Sequence, residues 1–136
     1  MASYPNPWTF NGKEFDDNDA VGHIGFVYQI SGPEKKYIGK KILWFARRKI
    51  LKGKRPKLYK APSDWKTYYG SSDDLVEDVK SLGPDKFRRE ILRLCKNKAE
   101  MSYYEAKAHF EHDVLLHPDL WYNRWISVKV TGRGLK

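Results

Sequence analysis

Cysteine is nearly absent from this 136-residue chain. Cys95 stands alone, so no internal disulfide can form and a disulfide-stapled secreted scaffold is excluded. No apolar run approaches the ~20 residues that span a bilayer. The opening MASYPNPWTF lacks the cationic start and apolar stretch of a secretory signal. These absences point to a soluble protein of a reducing cytoplasm, with no membrane partner. No tight cluster of histidine, cysteine and acid suggests a zinc site, and there is no internal repeat or low-complexity segment. The length leaves no room for two full cores, so one compact domain with one site is expected.

Acidic residues are missing from one long stretch. Between Lys35 and Lys60 there are twelve Lys or Arg and no Asp or Glu, whereas Glu14, Asp16, Asp17 and Asp19 make the start acidic. The formal net charge of +9 favours a polyanionic partner such as nucleic acid. A solvated basic face that aids solubility is the plainer alternative.

Residues 1–21, rich in Pro, Asn and Asp, read as a mostly irregular arm that packs Trp8, Phe10 and Phe15 onto a single domain over 22–136. GFVYQI from Gly25, then the turn residues SGPEKK, then YIG make a hairpin. The stretch from Lys40 to Gly53 places Ile42, Phe45 and Ile50 among cations at near-helical spacing, which predicts a short basic helix ended by Gly53. Residues 54–66, with Pro56 and Pro62, read as a basic loop. Ser72 or Asp73 caps a helix through Leu82, stopped by Gly83-Pro84. A strand over Phe87–Leu94 and a long helix from about Lys98 to Leu116 follow, with Met101, Tyr104, Ala108 and Leu115 on one stripe. The tail WYNRWISVKV fits a last strand or an extended segment.

GFVY followed by Tyr37-Ile38-Gly39 resembles the paired motif of GIY-YIG nucleases. Arg47, Glu105 and Asn123 stand in the order in which that family carries an arginine, an acidic residue on a later helix, and an asparagine. The resemblance spans roughly 25–126 and implies an α+β (α/β-type) fold, a small three-stranded antiparallel sheet flanked by helices. It also implies a metal-dependent DNA endonuclease leaving 5′-phosphate and 3′-hydroxyl ends, of phage or homing type, acting in the host cytoplasm if phage-encoded. Two departures stand out: GKK follows where Thr or Ser often succeeds YIG, and Leu51 replaces a frequent histidine.

Phosphodiester hydrolysis needs an activated water, a cation beside the non-bridging oxygens and help for the departing oxygen. The resemblance assigns Tyr28 to orienting the water or accepting its proton. With an ordinary pKa near ~10, Tyr28 would need nearby cations, for which Lys41 and Arg47 are candidates. Packing in the core is the other reading of Tyr28, as a cross-strand pair with Tyr28 is for Tyr37. Tyr37 would otherwise bond the phosphate or the same water. Arg47 would clamp phosphate, with Arg48 competing because the helical phase is not fixed. Gly39 would let phosphate approach the backbone, and Gly25 is structural. Asn123 would support the site or cap a turn. Tyr69, in the Tyr68–Ser72 segment, could stand in for the missing histidine.

Glu105 is the expected metal ligand, unless Ser102–Glu105 forms a capping box; a start at Asn97 would leave it mid-helix. One carboxylate plus waters and phosphate suits magnesium, with manganese able to substitute. His109, His112 and His117 read as helix-surface residues. Lys40, Arg48, Lys49, Lys52, Lys54, Arg55, Lys57 and Lys60 would hold double-stranded DNA by its phosphates. About ten residues follow Ile126, which leaves specificity modest or supplied by a homodimer or an accessory protein. Two other functions fit the sequence: a catalytically weak nucleic-acid-binding module, and a structure-selective repair or recombination nuclease.

Overall fold

The computed structural model describes residues 6–135; residues 1–5 of the expected arm and residue 136 lie outside the described residues. Three strands carry the sheet. β3 (Gly25–Ser31) is central, with β4 (Lys36–Ile42) and β7 (Arg88–Cys95) antiparallel on either side. This is the triplet the motifs predict. With β1 (Thr9–Phe10) and β2 (Lys13–Glu14), the complete sheet has five strands rather than three, in the order β2-β1-β7-β3-β4. Of this extra pair, β1 pairs in parallel with β7 at Thr9↔Glu90. The described arm is therefore only partly irregular. Burial of Trp8, Phe15 and Ala20, the last on α1 (Asp17–Ala20), draws it onto the sheet.

Alternation along β3 divides the core in two, because successive side chains leave opposite faces of a strand. Phe26, Tyr28 and Ile30 pack with Trp8, Phe15, Trp65, Phe87 and α2 (Asp73–Leu82) on one face. Val27, with Ile38 of β4, packs with Met101 of α3 (Lys98–Glu111), Val114 and Trp121 on the other. Ser72 caps α2 by accepting from the Leu75 amide at 3.4 Å. Asn97 caps α3 by accepting from the Glu100 amide at 2.9 Å, so Glu105 is mid-helix and forms no capping box. Gly25 lets α3 approach: a Cβ there would lie 2.6 Å from the Met101 side chain and from the Lys41 carbonyl oxygen.

The short basic helix expected after Gly39 does not form. β4 runs on to Ile42, and β5 (Trp44–Lys49) and β6 (Lys57–Pro62) make a separate two-stranded antiparallel ribbon that includes much of the expected loop. A helix would set like charges such as Arg48 and Lys52 one turn apart with no acid to pair them. Extended strands spread the same cations over two faces. Gly53, at φ +73°, serves the tip of this ribbon and ends no helix. The ribbon is tied at its root, where Ser63 N–H donates to Leu43 O at 2.9 Å, Leu43 N–H to Ile24 O at 2.8 Å, and Trp44 Nε1 to His23 O at 2.9 Å. The tail forms no final strand; its backbone makes an isolated bridge to β4, Lys36↔Trp121, and side-chain contacts do the rest.

Gly39 lies inside β4, directly opposite Tyr28. A Cβ at Gly39 would stand 2.5 Å from the Tyr28 hydroxyl and 2.8 Å from the Tyr37 ring, so the absent side chain makes room for two phenols. Gly39→Ala is expected to destabilise the fold by about 1–3 kcal/mol, the usual cost of overpacking a close-packed site, measured as a lower urea midpoint at unchanged m-value.

Candidate active site

β4 is the last strand of the sheet, and its outer edge is only partly covered. Lys36 N–H donates to Leu120 O at 2.9 Å and Tyr122 N–H to Lys36 O at 2.8 Å. At the next rung the side chain of Asn123 replaces a strand: its Oδ1 accepts from Ile38 N–H at 3.1 Å and its Nδ2 donates to Ile38 O at 2.8 Å. The amide group thus mimics a peptide unit. His109 Nε2 lies 2.9 Å from the same carbonyl, which fixes that nitrogen as a donor. Its 3.3 Å approach to Asn123 Nδ2 is then a contact between two donors. Both side chains are buried, and His109 Nδ1 has no hydrogen-bond partner.

Past this covered portion opens a cleft of ≈ 460 Å³, lined by Tyr37, Lys40, Ser71, Glu105, His109 and Asn123 among others. Tyr37 Oη and Ser71 Oγ are hydrogen-bonded at 2.8 Å. Lys40 Nζ donates to Ser102 Oγ at 3.0 Å and lies 3.8 Å from Glu105 Oε1. Burial pushes the Glu105 carboxyl above its ordinary value, partly offset by His109 and Lys40. Arg124 also borders the cleft and is ion-paired with Asp74.

Tyr28 lies beneath this edge, fully buried, its ring 6.1 Å from that of Tyr37 and 6.0 Å from that of Tyr68. Its hydroxyl makes no hydrogen bond. Burial, then the Tyr68 and Tyr37 phenols and Glu105, push its pKa well up, opposite to the lowering that cations were expected to supply. Lys41 is held by Asp64 at 2.6 Å and covers the Tyr68 ring at 4.1 Å. Asp64 is lowered by that hydrogen bond.

The structure therefore brings Tyr37, Lys40, Glu105 and Asn123 together around one cleft, with Tyr28 and Gly39 behind it. Arg47 does not line the cleft: it sits on β5 opposite Tyr59, its guanidinium 5.0 Å from the Phe45 ring centre. Arg48, Lys49, Lys57 and Lys60 lie on the same ribbon, with Lys52, Lys54 and Arg55 in its connection. Tyr69 is drawn under the Arg89 guanidinium at 4.1 Å and does not border the cleft; Ser71 supplies the hydroxyl there. His109, expected on the helix surface, is only 5% exposed. Its position four residues after Glu105, one helical turn on, is the signal that would have found it.

No group of three or more His, Cys, Asp or Glu is gathered to hold a metal among the described residues. Glu105 is one half-buried carboxylate beside an open cleft, a donor set that suits a hard cation completing its shell with water and phosphate.

A half-buried carboxylate costs stability when it is charged. Its raised pKa means that the folded chain holds the proton more tightly than the unfolded chain, so this contribution falls as pH rises above the ordinary value of 4.5. Glu105→Gln should therefore melt above the wild type at pH 7 to 8, with the gap closing toward pH 4.5, as followed by thermal denaturation in metal-free buffer.

Residues 8–126 match the family model described as "Putative endonuclease segE, GIY-YIG domain". No curated protein and no solved structure matches the chain.

Proposed function

The chain belongs to the GIY-YIG endonuclease family, and from that premise we propose that it is a magnesium-dependent DNA endonuclease of phage or homing type, producing 5′-phosphate and 3′-hydroxyl ends. The observation that carries this reading is the desolvated Glu105 carboxylate beside Lys40, with Tyr37 lining the same cleft of ≈ 460 Å³. No helix of the described chain is long and apolar enough to cross a membrane.

Glu105 is the residue that would hold the cation. When bound, magnesium or manganese supplies charge neutralisation at the phosphate and acidifies water nearby. Lys40 is the cleft cation beside Glu105, and its flexible amine can turn to a non-bridging oxygen. Arg47 can join only from the ribbon, when DNA spans both. Tyr37, still half-exposed, donates its hydroxyl toward the phosphate or the attacking water. Asn123 and His109 act through Ile38, fixing the strand between Tyr37 and Gly39.

Tyr28 takes the proton in this reading. Its buried hydroxyl lacks a partner in the free protein, a condition costing about 1–3 kcal/mol that an incoming water or phosphate oxygen would relieve. Its raised pKa sets the sign of the pH dependence. The phenolate fraction is small at neutrality and grows about tenfold per pH unit, so kcat/KM should climb through about pH 7 to 9 without a neutral plateau. Tyr28→Phe should both lower the rate and flatten that climb.

The second reading, a nucleic-acid-binding module with little catalysis, draws on the same buried phenol and on the placement of Arg47 outside the cleft. Cleavage of supercoiled plasmid separates the two. The wild type should nick in magnesium and not in EDTA, and Glu105→Ala should lose about a thousandfold in rate, roughly 4 kcal/mol of transition-state stabilisation. Absence of wild-type nicking with DNA binding intact would establish the binding module instead.

A further inference from the structure

The β5–β6 ribbon is separate from the cleft and is not explained by phosphodiester chemistry. From Ala46 to Lys60 every residue except the half-buried Leu51 is exposed. The ribbon therefore packs against nothing along most of its length, although an isolated two-stranded hairpin is marginal in water. It carries eight cations and no acid over this span, and among the described residues none of the eight forms an ion pair. Lys49 and Lys57 stand directly opposite each other, a like-charge pairing that destabilises a free ribbon. Exposed Ile50, Leu58 and Tyr59 lie among these charges, Leu58 opposite Arg48 and Tyr59 opposite Arg47.

Charge and shape name one occupant. A double helix lines both walls of its major groove with phosphates, and that groove, about 12 Å wide, admits a two-stranded ribbon. Six residues per strand extend about 20 Å, enough to lie along it. Register decides what each face offers. Phe45, Arg47 and Lys49 share one face with Lys57, Tyr59 and Ala61; Ala46, Arg48, Leu58 and Lys60 share the other. Each face thus combines cations with an apolar side chain, which suits a guanine edge beside a thymine methyl. The root is rigid, tied to Ile24, His23 and Ile42 by hydrogen bonds, with Lys41 Nζ near both the Phe45 and Tyr68 rings. The arm therefore stands at a set distance from the cleft.

We propose that the β5–β6 ribbon inserts into the major groove of double-stranded DNA and reads base edges, so that sequence preference resides in this arm and the scissile phosphate is chosen by its distance from the cleft. The proposal rests on the endonuclease reading for the meaning of the cleft, and on the ribbon alone for binding.

The test keeps the two apart by using Glu105→Ala protein to select from a random library of duplexes about three helical turns long. The comparison protein also carries Arg48→Thr, Lys49→Thr, Lys57→Thr and Lys60→Thr, which remove charge while retaining strand preference. Its circular dichroism and Tm should match those of the parent, since these side chains are exposed. Support consists of three results: a recovered sequence motif, at least about tenfold weaker binding when 7-deazaguanine removes the N7 acceptor from the motif's guanines, and loss of the motif in the threonine variant, with a salt slope shallower by about 3. Recovery of no motif, a motif unchanged in the threonine variant, or equal binding to A-form RNA duplex, whose major groove is too narrow, would each overturn it. Plasmid nicking by the wild type is scored separately, so loss of the nuclease reading leaves this result interpretable.

Discussion

The site depends on one steric fact: the phenol of Tyr28 lies over a residue that has no side chain. Because Tyr28 is opposite Gly39, the register of β3 against β4 is fixed where a one-residue slip would exchange every inward and outward side chain. With that register, Tyr37 and Gly39 share the face of Tyr28, while Ile38 and Lys40 turn toward α3. The edge strand can then present a phenol from one face and an amine from the other to the same cleft. Asn123 and His109 hold the intervening peptide through Ile38, so the two halves of the cleft are referenced to one carbonyl.

A second constraint sits behind it. Arg89 is fully buried, yet its guanidinium donates to Asn6 O at 3.0 Å, Lys66 O at 2.9 Å and Tyr68 O at 2.8 Å, and it packs against the rings of Trp8 and Tyr69. A buried cation is costly unless its donors are engaged. Here they gather the N-terminal segment, the Tyr68 segment and β7 at one point. The position of Tyr68 against Tyr28, and of Ser71 against Tyr37, follows from that gathering.

Local pattern carries far in this chain and fails where the partner is distant in sequence. The β3–β4 hairpin, the β7 strand, α2 and the start of α3 are legible because alternation, turn residues and caps are local. The end of α3 is not, since the helix stops at Glu111, before the left-handed Asp113, rather than at Leu116. Nor is the parallel pairing of β1 with β7, since Thr9 and Phe10 show strand character only once β7 is beside them. The same holds for His109: its helical position is readable, whereas its burial depends on Ile38 and Asn123. The ribbon departs from its local pattern for a different reason. Apolar residues at 42, 45 and 50 fit a helical stripe, but that stripe has no face to bury and no acids to balance its cations. Composition points to a polyanion partner but says nothing of the geometry of the grip.

The cleft and the ribbon reflect opposite uses of the solvent. In the cleft, desolvation makes the charged form of Glu105 costly, and behind it the Tyr28 hydroxyl is buried without a partner, costs that a cation and a substrate oxygen would relieve. On the ribbon, water and salt screen the cations and make their mutual repulsion tolerable, so the arm can remain extended without a packed face. Under the proposed function, phosphate contact would neutralise the ribbon while a cation at Glu105 would answer the cleft, which would link binding to chemistry. The cleft thus favours a cation and the ribbon an anion, two demands that a metal-bearing phosphodiester would meet together.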